Sequence, residues 1–364
     1  MRPLSFTILI VLFLFSCKKE VKYYENSGEI FKTSFHIKYK YHRDLDDSIK
    51  DCLNRFDLSL NPFNKKSVIY KVNNNQPVEV DDWFIAVFNK AMEVSEISGG
   101  LYDITCAPFV NLWGFGYSKT DSVNQTAIDS LKQFVGYKKV RLKGRKVIKD
   151  DPRLQLNVSS IAKGYSCDVI AELLESYGIT DYLVEIGGEI HAKGRNAKGV
   201  CWKIEIPKPV DSLSGSMNDG TDIVELCDRS VATSGNYRNY YIRDGKKYGH
   251  IINPLTGYPA ESNILSVSVI YPDCMTADAF ATVLMTMDLD QAENFARRFP
   301  DMECIFIYAD SVSSVAGTIG RNHLKSLFSF TMCENSILSC KFAAQSKNGY
   351  PFFHSRRSYL RTTK

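Results

Sequence analysis

The apolar positions of the chain change period from two to about 3.6 and back, and the changes mark out its elements. From Ile30 to Tyr41 the positions Ile30, Thr33, Phe35, Ile37, Tyr39 and Tyr41 predict a strand with aromatic rungs. Between Asp44 and Phe56, Leu45, Ile49, Leu53 and Phe56 form a helical stripe. Trp83 to Ser98 repeats it with Phe84, Val87, Phe88, Ala91, Met92 and Val94, and Gly99-Gly100 supplies the stop. A third helix is predicted from Ser160 through Tyr177, with Val169, Ile170, Leu173 and Leu174 on one face and Gly178 after it. The stretch 181–193 then reads as strand, Gly187-Gly188 turn and strand, and Trp202 to Ile206 as another strand. A polar run from Val210 to Asp222 reads as a surface excursion. Leu265 to Tyr271 and Cys304 to Tyr308 predict strands, and Ala277 to Met287 and Ala292 to Phe299 predict helices. Helices and strands mix without strict alternation, so the expected class is α+β rather than a parallel doubly wound sheet.

The first residues carry an address. Arg2 precedes the apolar run Phe6 to Phe15, too short for a comfortable span, and Ser16-Cys17 ends it before Lys18-Lys19. A small residue just before a cysteine resembles a bacterial lipoprotein processing site. That resemblance implies a signal peptide over 1–16, a lipid on Cys17, and a protein anchored to a membrane and facing the periplasm, at the inner rather than the outer membrane. A cleaved signal peptide without lipid and an uncleaved anchor are the alternatives, and each of them also exports the chain. Residues 17–29 then form a polar spacer, 30–320 the folded domain, and 321–364 a basic tail of unassigned role. With eight Lys/Arg against Glu334, that tail carries +7 of the overall +4, which leaves the remainder near −3. The rest of the chain offers no basic footprint for nucleic acid. Ten cysteines in an exported chain invite disulfides, yet there is no CxxC pair and removing Cys17 leaves nine. Cys106, Cys167, Cys201 and Cys304, beside apolar neighbours, read as small core residues.

Four clusters carry candidate chemistry. Ser98-Gly99-Gly100 leads to Asp103 and the aromatic loop around Trp113 and Phe115, a setting for a flat heteroaromatic ring held by polar anchors. Asn157-Val-Ser-Ser160 opens a helix with Lys163 in its first turn. Ser160 as N-cap would expose backbone N–H groups to phosphate. His250 precedes a Pro- and Gly-punctuated loop and suits a general base, or a structural histidine. Asp278 and Thr282, four residues apart, share one helical face. A buried carboxylate there needs a cation or hydrogen-bond donors, and one carboxylate, one hydroxyl and substrate phosphates suit Mg²⁺. An aspartate capping its helix, with the threonine bonding back, is the alternative.

In order, the clusters resemble the signature stretches of the ApbE-type FAD:protein FMN transferases: the SGGLYDIT block with NLWGFG, AKGYSCD, the GGE turn, TSGNY, HIINPLTGYP and ADAFAT. Ser67-Val-Ile-Tyr-Lys-Val-Asn73 resembles a weaker early block, and the coverage runs from Ile30 to Tyr308. The resemblance implies a two-lobed, T-fold-related α+β domain with FAD in a cleft between the lobes. It implies Mg²⁺ held by the Ser160 carbonyl, Asp278 and Thr282. FAD contacts fall on Phe31, Phe63, Leu101, Tyr102, Asp103, Asn157, Lys163, His250 and Ile251. Ile30-Phe-Lys-Thr33 stands where the family shows Met-Gly-Thr, and Asn157 stands where an aspartate is common. The implied reaction cuts the FAD pyrophosphate with help from Asp278 and Lys163. His250 deprotonates a Thr or Ser hydroxyl of a client flavoprotein, which receives FMN as AMP leaves. With water as acceptor the same site is a pyrophosphatase, and without turnover it is an FAD store.

Overall fold

The alternation between Lys22 and Tyr41 folds back on itself. Lys22–Ile30 (β1) and Thr33–Tyr41 (β2) pair antiparallel over their full nine residues, from Lys22↔Tyr41 to Ile30↔Thr33. The segment expected as a polar spacer is thus mostly a strand. It lies at the edge of a sheet, and only Asn26 along it is buried, so its sequence lacks the apolar period of a core strand. The reversal is a two-residue turn in which Phe31 and Lys32 both adopt left-handed backbone, with φ 55° and 62°. Hairpin turns of this hand favour Asn-Gly, and Phe-Lys is an unusual occupant.

The computed structural model describes residues 20–116, 123–206, 222–236, 240–243, 246–309, 313–319 and 328–331. The expected signal peptide, Cys17, residues 210–221 of the polar excursion and most of the basic tail lie outside them. The helices are Asp46–Leu60 (α1), Val68–Asn73 (α2), Asp82–Ile97 (α3), Ala107–Leu112 (α4), Gln125–Lys132 (α5), Ala162–Ser176 (α6), Cys274–Leu284 (α7) and Leu289–Ala296 (α8). Short hairpins are formed by Val140–Lys143 (β3) with Lys146–Lys149 (β4), by Tyr182–Ile186 (β5) with Glu189–Lys193 (β6), and by Trp202–Ile206 (β7) with Asp222–Leu226 (β8). Arg229–Gly235 (β9) is followed by the hairpin Tyr240–Arg243 (β10) and Lys246–Gly249 (β11). Ile264–Tyr271 (β12), Glu303–Ala309 (β13), Ser313–Ile319 (β14) and Phe328–Thr331 (β15) complete the set.

Among the described residues nine strands form one sheet in the order β1-β2-β5-β6-β9-β12-β13-β14-β15, with every adjacent pair antiparallel. Strand alternation assigns its two faces. Phe35, Ile37, Tyr39, Val184, Ile186, Val267, Val269 and Phe306 point into the main core. There they meet Ile49 and Phe56 of α1, Phe84 and Phe88 of α3, Ile170 and Leu174 of α6, and Phe280 and Val283 of α7. Ile190, Ala192, Val231, Ile270 and Ile305 face the other way and are covered by Trp202, Ile204 and Ile206 of the β7–β8 hairpin. A separate apolar cluster joins α4 and α5 to the loop after His250 through Phe109, Leu112, Trp113, Ile128 and Ile252. The architecture is α+β, as expected.

The cysteine reading needs one correction. Cys201 and Cys227 form a disulfide with Cα atoms 5.2 Å apart, whereas Cys52, Cys106, Cys167, Cys274 and Cys304 are free. The β7–β8 register pairs Trp202 with Leu226, which brings the two flanking cysteines opposite one another. Their sequence separation of 26 spans the polar excursion, so spacing alone concealed the pair.

Candidate functional site

Helices α6 and α7 approach closely because Gly164 has no side chain. A Cβ there would lie 2.3 Å from the Cys274 carbonyl oxygen and 2.7 Å from Cβ of Asp278. The contact lets the Gly164 amide donate to Oδ2 of Asp278 at 3.0 Å, and among the described residues this is the only hydrogen bond to that carboxylate. One turn on, Asp168 accepts from the amides of Cys274 at 2.9 Å and Met275 at 2.8 Å, and meets His191 Nδ1 at 2.7 Å. Asp168 thereby fixes the first turn of α7, with Asp273 as its N-cap. Asp278 therefore lies mid-helix and does not cap α7. Thr282, on the same face, has its hydroxyl 3.5 Å from that of Ser234 on β9.

Ser160 is not the N-cap of α6. Ile161 takes that position without a side-chain cap, and Ser160 Oγ donates instead to the Tyr102 hydroxyl at 3.0 Å. The first-turn amides find other partners: that of Ala162 donates to the Val158 carbonyl at 2.8 Å and that of Gly164 to Asp278. Asn157 Oδ1 accepts from the Ser159 amide at 3.0 Å, and the Asn157 amide donates to the Ile104 carbonyl, so the turn before α6 is tied to the segment that carries Asp103.

Lys163, in the first turn of α6, forms an ion pair with Glu189 at the start of β6. Its alkyl stem passes beneath the Gly187-Gly188 turn, where φ is 65° and 101°. A Cβ on Gly187 would meet Cδ of Lys163 at 3.3 Å and Cγ2 of Thr33 at 2.9 Å, so the β1–β2 turn, the β5–β6 turn and α6 converge on this lysine. Burial works against the ammonium charge of Lys163, but Glu189 and Asp278 outweigh it and hold its pKa above the ordinary value. Burial raises the carboxyl groups of both Glu189 and Asp278, against the pull of Lys163. One ammonium thus serves two enclosed carboxylates, and the cluster is short of positive charge.

The expected flavin contacts divide into two groups. Phe63 is 51% exposed, with the Lys32 ammonium 4.4 Å from its ring centroid, and Phe31 packs 5.7 Å from the Phe56 ring. Leu101 is half-buried beside the left-handed Gly99 and Gly100. Tyr102, Asp103 and Ile251 are buried. The Asp103 carboxylate accepts from the Thr105 amide and hydroxyl and from the Tyr137 amide, at 2.6–2.7 Å, and so closes the loop around it. His250 follows β11, half-buried, with the Phe115 ring edge-on at 6.3 Å. Its loop is held by the Ala260 amide to the Ile251 carbonyl and by the Trp113 indole to the Gly257 carbonyl, each at 2.8 Å. A Cβ on Gly249 would lie 2.6 Å from the Asn236 side chain, two residues after Ser234, so β9 links the His250 loop to Thr282.

The donor set fits a hard divalent cation. Among the described residues no group of three His, Cys, Asp or Glu side chains has metal-holding geometry, which leaves no soft or closed site. A buried carboxylate and a hydroxyl on the same helical face would leave most positions to phosphate or water oxygens, as Mg²⁺ prefers. Glu189, Asp168 and Ser234 received no role from the sequence. The clearest signal for Glu189 was a charged residue directly after a Gly-Gly turn, at a strand position that proves 2% exposed.

Residues 31–306 match the model of the ApbE family. Over 299 residues the chain is 36% identical to an FAD:protein FMN transferase of Vibrio cholerae, covering 79% of this chain and 88% of the relative. A Haemophilus influenzae protein of the same name is 33% identical over 312 residues, covering 80% and 88%. Among solved structures, the flavin transferase ApbE from Vibrio cholerae superposes with a TM-score of 0.73 at 32% identity, covering 82% of this chain and 97% of that one. The apo flavinyl transferase ApbE of Pseudomonas stutzeri gives 0.72 at 28% identity, covering 82% and 95%.

Proposed function

The chain belongs to the ApbE family, and we propose that it is an FAD:protein FMN transferase whose reaction runs between the facing ends of α6 and α7. The enzyme takes FAD as substrate and joins its FMN half to a client flavoprotein. The observation that supports the site assignment is the contact of Gly164 with Asp278, which sets that enclosed carboxylate within electrostatic reach of Lys163.

Asp278 Oδ1, the Thr282 hydroxyl and the Ser160 carbonyl would hold Mg²⁺. Bound there, the ion would neutralise the pyrophosphate and the charge that develops on the departing AMP. Lys163 and the dipole of α6 supply further positive potential toward the phosphates. Phe31, Phe63 and the segment Leu101–Asp103 form the walls for the flat rings of FAD, with Asn157 and Ile251 beside them. His250 accepts the proton of a client Thr or Ser hydroxyl. That oxygen bonds to the FMN phosphorus, the bond to the AMP oxygen breaks, and a phosphoester to the client remains. Export and lipid attachment at Cys17 place the reaction at the periplasmic face of a membrane, and the Cys201–Cys227 disulfide supports an oxidising compartment.

The test is to incubate detergent-solubilised enzyme with FAD, Mg²⁺ and a client with an Asp-x-x-Ser/Thr-Gly segment. Flavin fluorescence on the denatured client is the expected result. Free FMN and AMP without labelled client would replace transfer by hydrolysis, and intact FAD would leave only storage. Asp278→Asn should keep the fold, because its amide oxygen can still accept from Gly164, and should lower kcat by about 10²-fold or more. His250→Ala should bind FAD normally and transfer about 10²–10⁴-fold more slowly. Unchanged turnover in either variant removes that residue from its role.

A further inference from the structure

Two enclosed carboxylates, Glu189 and Asp278, flank the one ammonium of Lys163, and the ion pair goes to Glu189. We propose that Glu189 is a positioning residue that keeps Lys163 off Asp278, leaving the Asp278 carboxylate to the divalent cation. This inference rests on the reading of Asp278 as a cation ligand.

The geometry around Glu189 is that of a fixed anchor. Its side chain is 2% exposed, and its backbone carbonyl receives the Cys167 thiol at 3.2 Å. The Gly187-Gly188 turn brings it down onto α6, and that turn with Thr33 confines the stem of Lys163. The lysine side chain remains 34% exposed while Glu189 holds its ammonium. Oε2 of Glu189 is buried and has no hydrogen-bond partner among the described residues. A carboxylate kept in that condition points to a role other than stability alone.

The alternative position for Lys163 follows from Coulomb attraction. Lysine is a point charge on a flexible four-carbon stem, and Asp278 already raises its proton affinity across the gap between α6 and α7. Without the charge of Glu189, the nearest enclosed anion is Asp278. An ammonium paired with Asp278 would compete directly with the metal for that carboxylate. The Glu189 side chain thus partitions the local charges: ammonium to one carboxylate, divalent cation to the other.

Full-chain protein in detergent is titrated with Mn²⁺ alone, with the free ion counted by electron paramagnetic resonance, and thermal unfolding confirms that each variant is folded. Glu189→Gln, which keeps the shape and removes the charge, should weaken Mn²⁺ at least tenfold and raise the Mg²⁺ needed for half-maximal transfer by a similar factor. Adding Lys163→Met to Glu189→Gln removes the competing ammonium and should return Mn²⁺ affinity to within threefold of the wild type. Mn²⁺ affinity unchanged by Glu189→Gln, or still weak in the double variant, overturns the inference, and the second result would make Glu189 a ligand or a structural support. Asp278→Asn is the control for the underlying reading. If it binds Mn²⁺ like the wild type, Asp278 is not a ligand and both readings fall. If it is impaired while Glu189→Gln is not, only this inference falls.

Discussion

Replacing Gly164 by alanine tests whether the contact between α6 and α7 sets the site. In a solvent-exposed helix that change would stabilise by about 0.8–1.0 kcal/mol, because glycine is the poorer helix former. Here the new Cβ would sit 2.3 Å from the Cys274 carbonyl oxygen and 2.8 Å from its carbon, both backbone atoms that cannot rotate away. Overpacking of this kind typically costs about 1–3 kcal/mol, and a backbone obstacle belongs at the upper end. The expected net is therefore a loss of about 2 kcal/mol, or about 3 °C in Tm for a domain of this size. The same displacement pulls the Gly164 amide away from Asp278, so Mn²⁺ affinity should fall together with stability. Scanning calorimetry and Mn²⁺ titration of the purified variant read both effects. A Gly164→Ala protein with an equal or higher Tm would refute the close approach of the helices and the positioning argument built on it.

Loss of the Cys201–Cys227 bond in the double serine variant should lower stability by about 3.5 kcal/mol on a chain-entropy basis for a separation of 26 residues. Thiol alkylation followed by mass spectrometry should show these two cysteines protected until reductant is added. Free labelling of both in the native protein would contradict the pairing. Burial lowers the pKa of Lys149 from 10.5 to about 8, although its ammonium donates to the Val72 carbonyl at 2.7 Å. Between these values the unfolded chain binds more protons than the folded one, so the burden of burying this charge is full below pH 8 and is relieved as pH rises toward 10.5. The stability of the wild type relative to Lys149→Met should accordingly improve from pH 7.5 to 10.5 in denaturant melts, and a difference independent of pH would sink the assignment.

What could be read from the sequence follows the strength of its apolar period. The helix predicted from Trp83 to Ser98 is Asp82–Ile97, and the Gly99-Gly100 stop is in left-handed backbone as its chemistry requires. The Gly187-Gly188 hairpin and the strand Ile264–Tyr271 were equally plain, since both faces or a strict turn signal marked them. The edge strand β1 was not, because a strand buried along one residue in nine has no apolar stripe to show. The β3–β4 hairpin escaped for a related reason: Val140 and Leu142 alternate with Arg141 and Lys143 in a run too short and too basic to read as a strand. Within the site, the Asp278–Thr282 face needed only helical spacing. The pairing of Lys163 with Glu189, the loss of Ser160 to Tyr102 and the disulfide all depend on residues far apart in the chain. Such partners are chosen by sheet register and helix packing, which local pattern does not encode.

The early start of β1 sets a leash length for the enzyme. Under the proposed attachment of lipid at Cys17, four residues, or five residue steps, separate the anchor from Lys22, the first residue committed to the nine-stranded sheet. Fully extended, that interval reaches about 17 Å. A body of roughly 300 residues is wider than its own tether, so it would hug the bilayer and present the site at an almost fixed height above it. Clients embedded in or docked on the same membrane would meet that height repeatedly by lateral diffusion, whereas a freely dissolved acceptor would have to find it from the bulk.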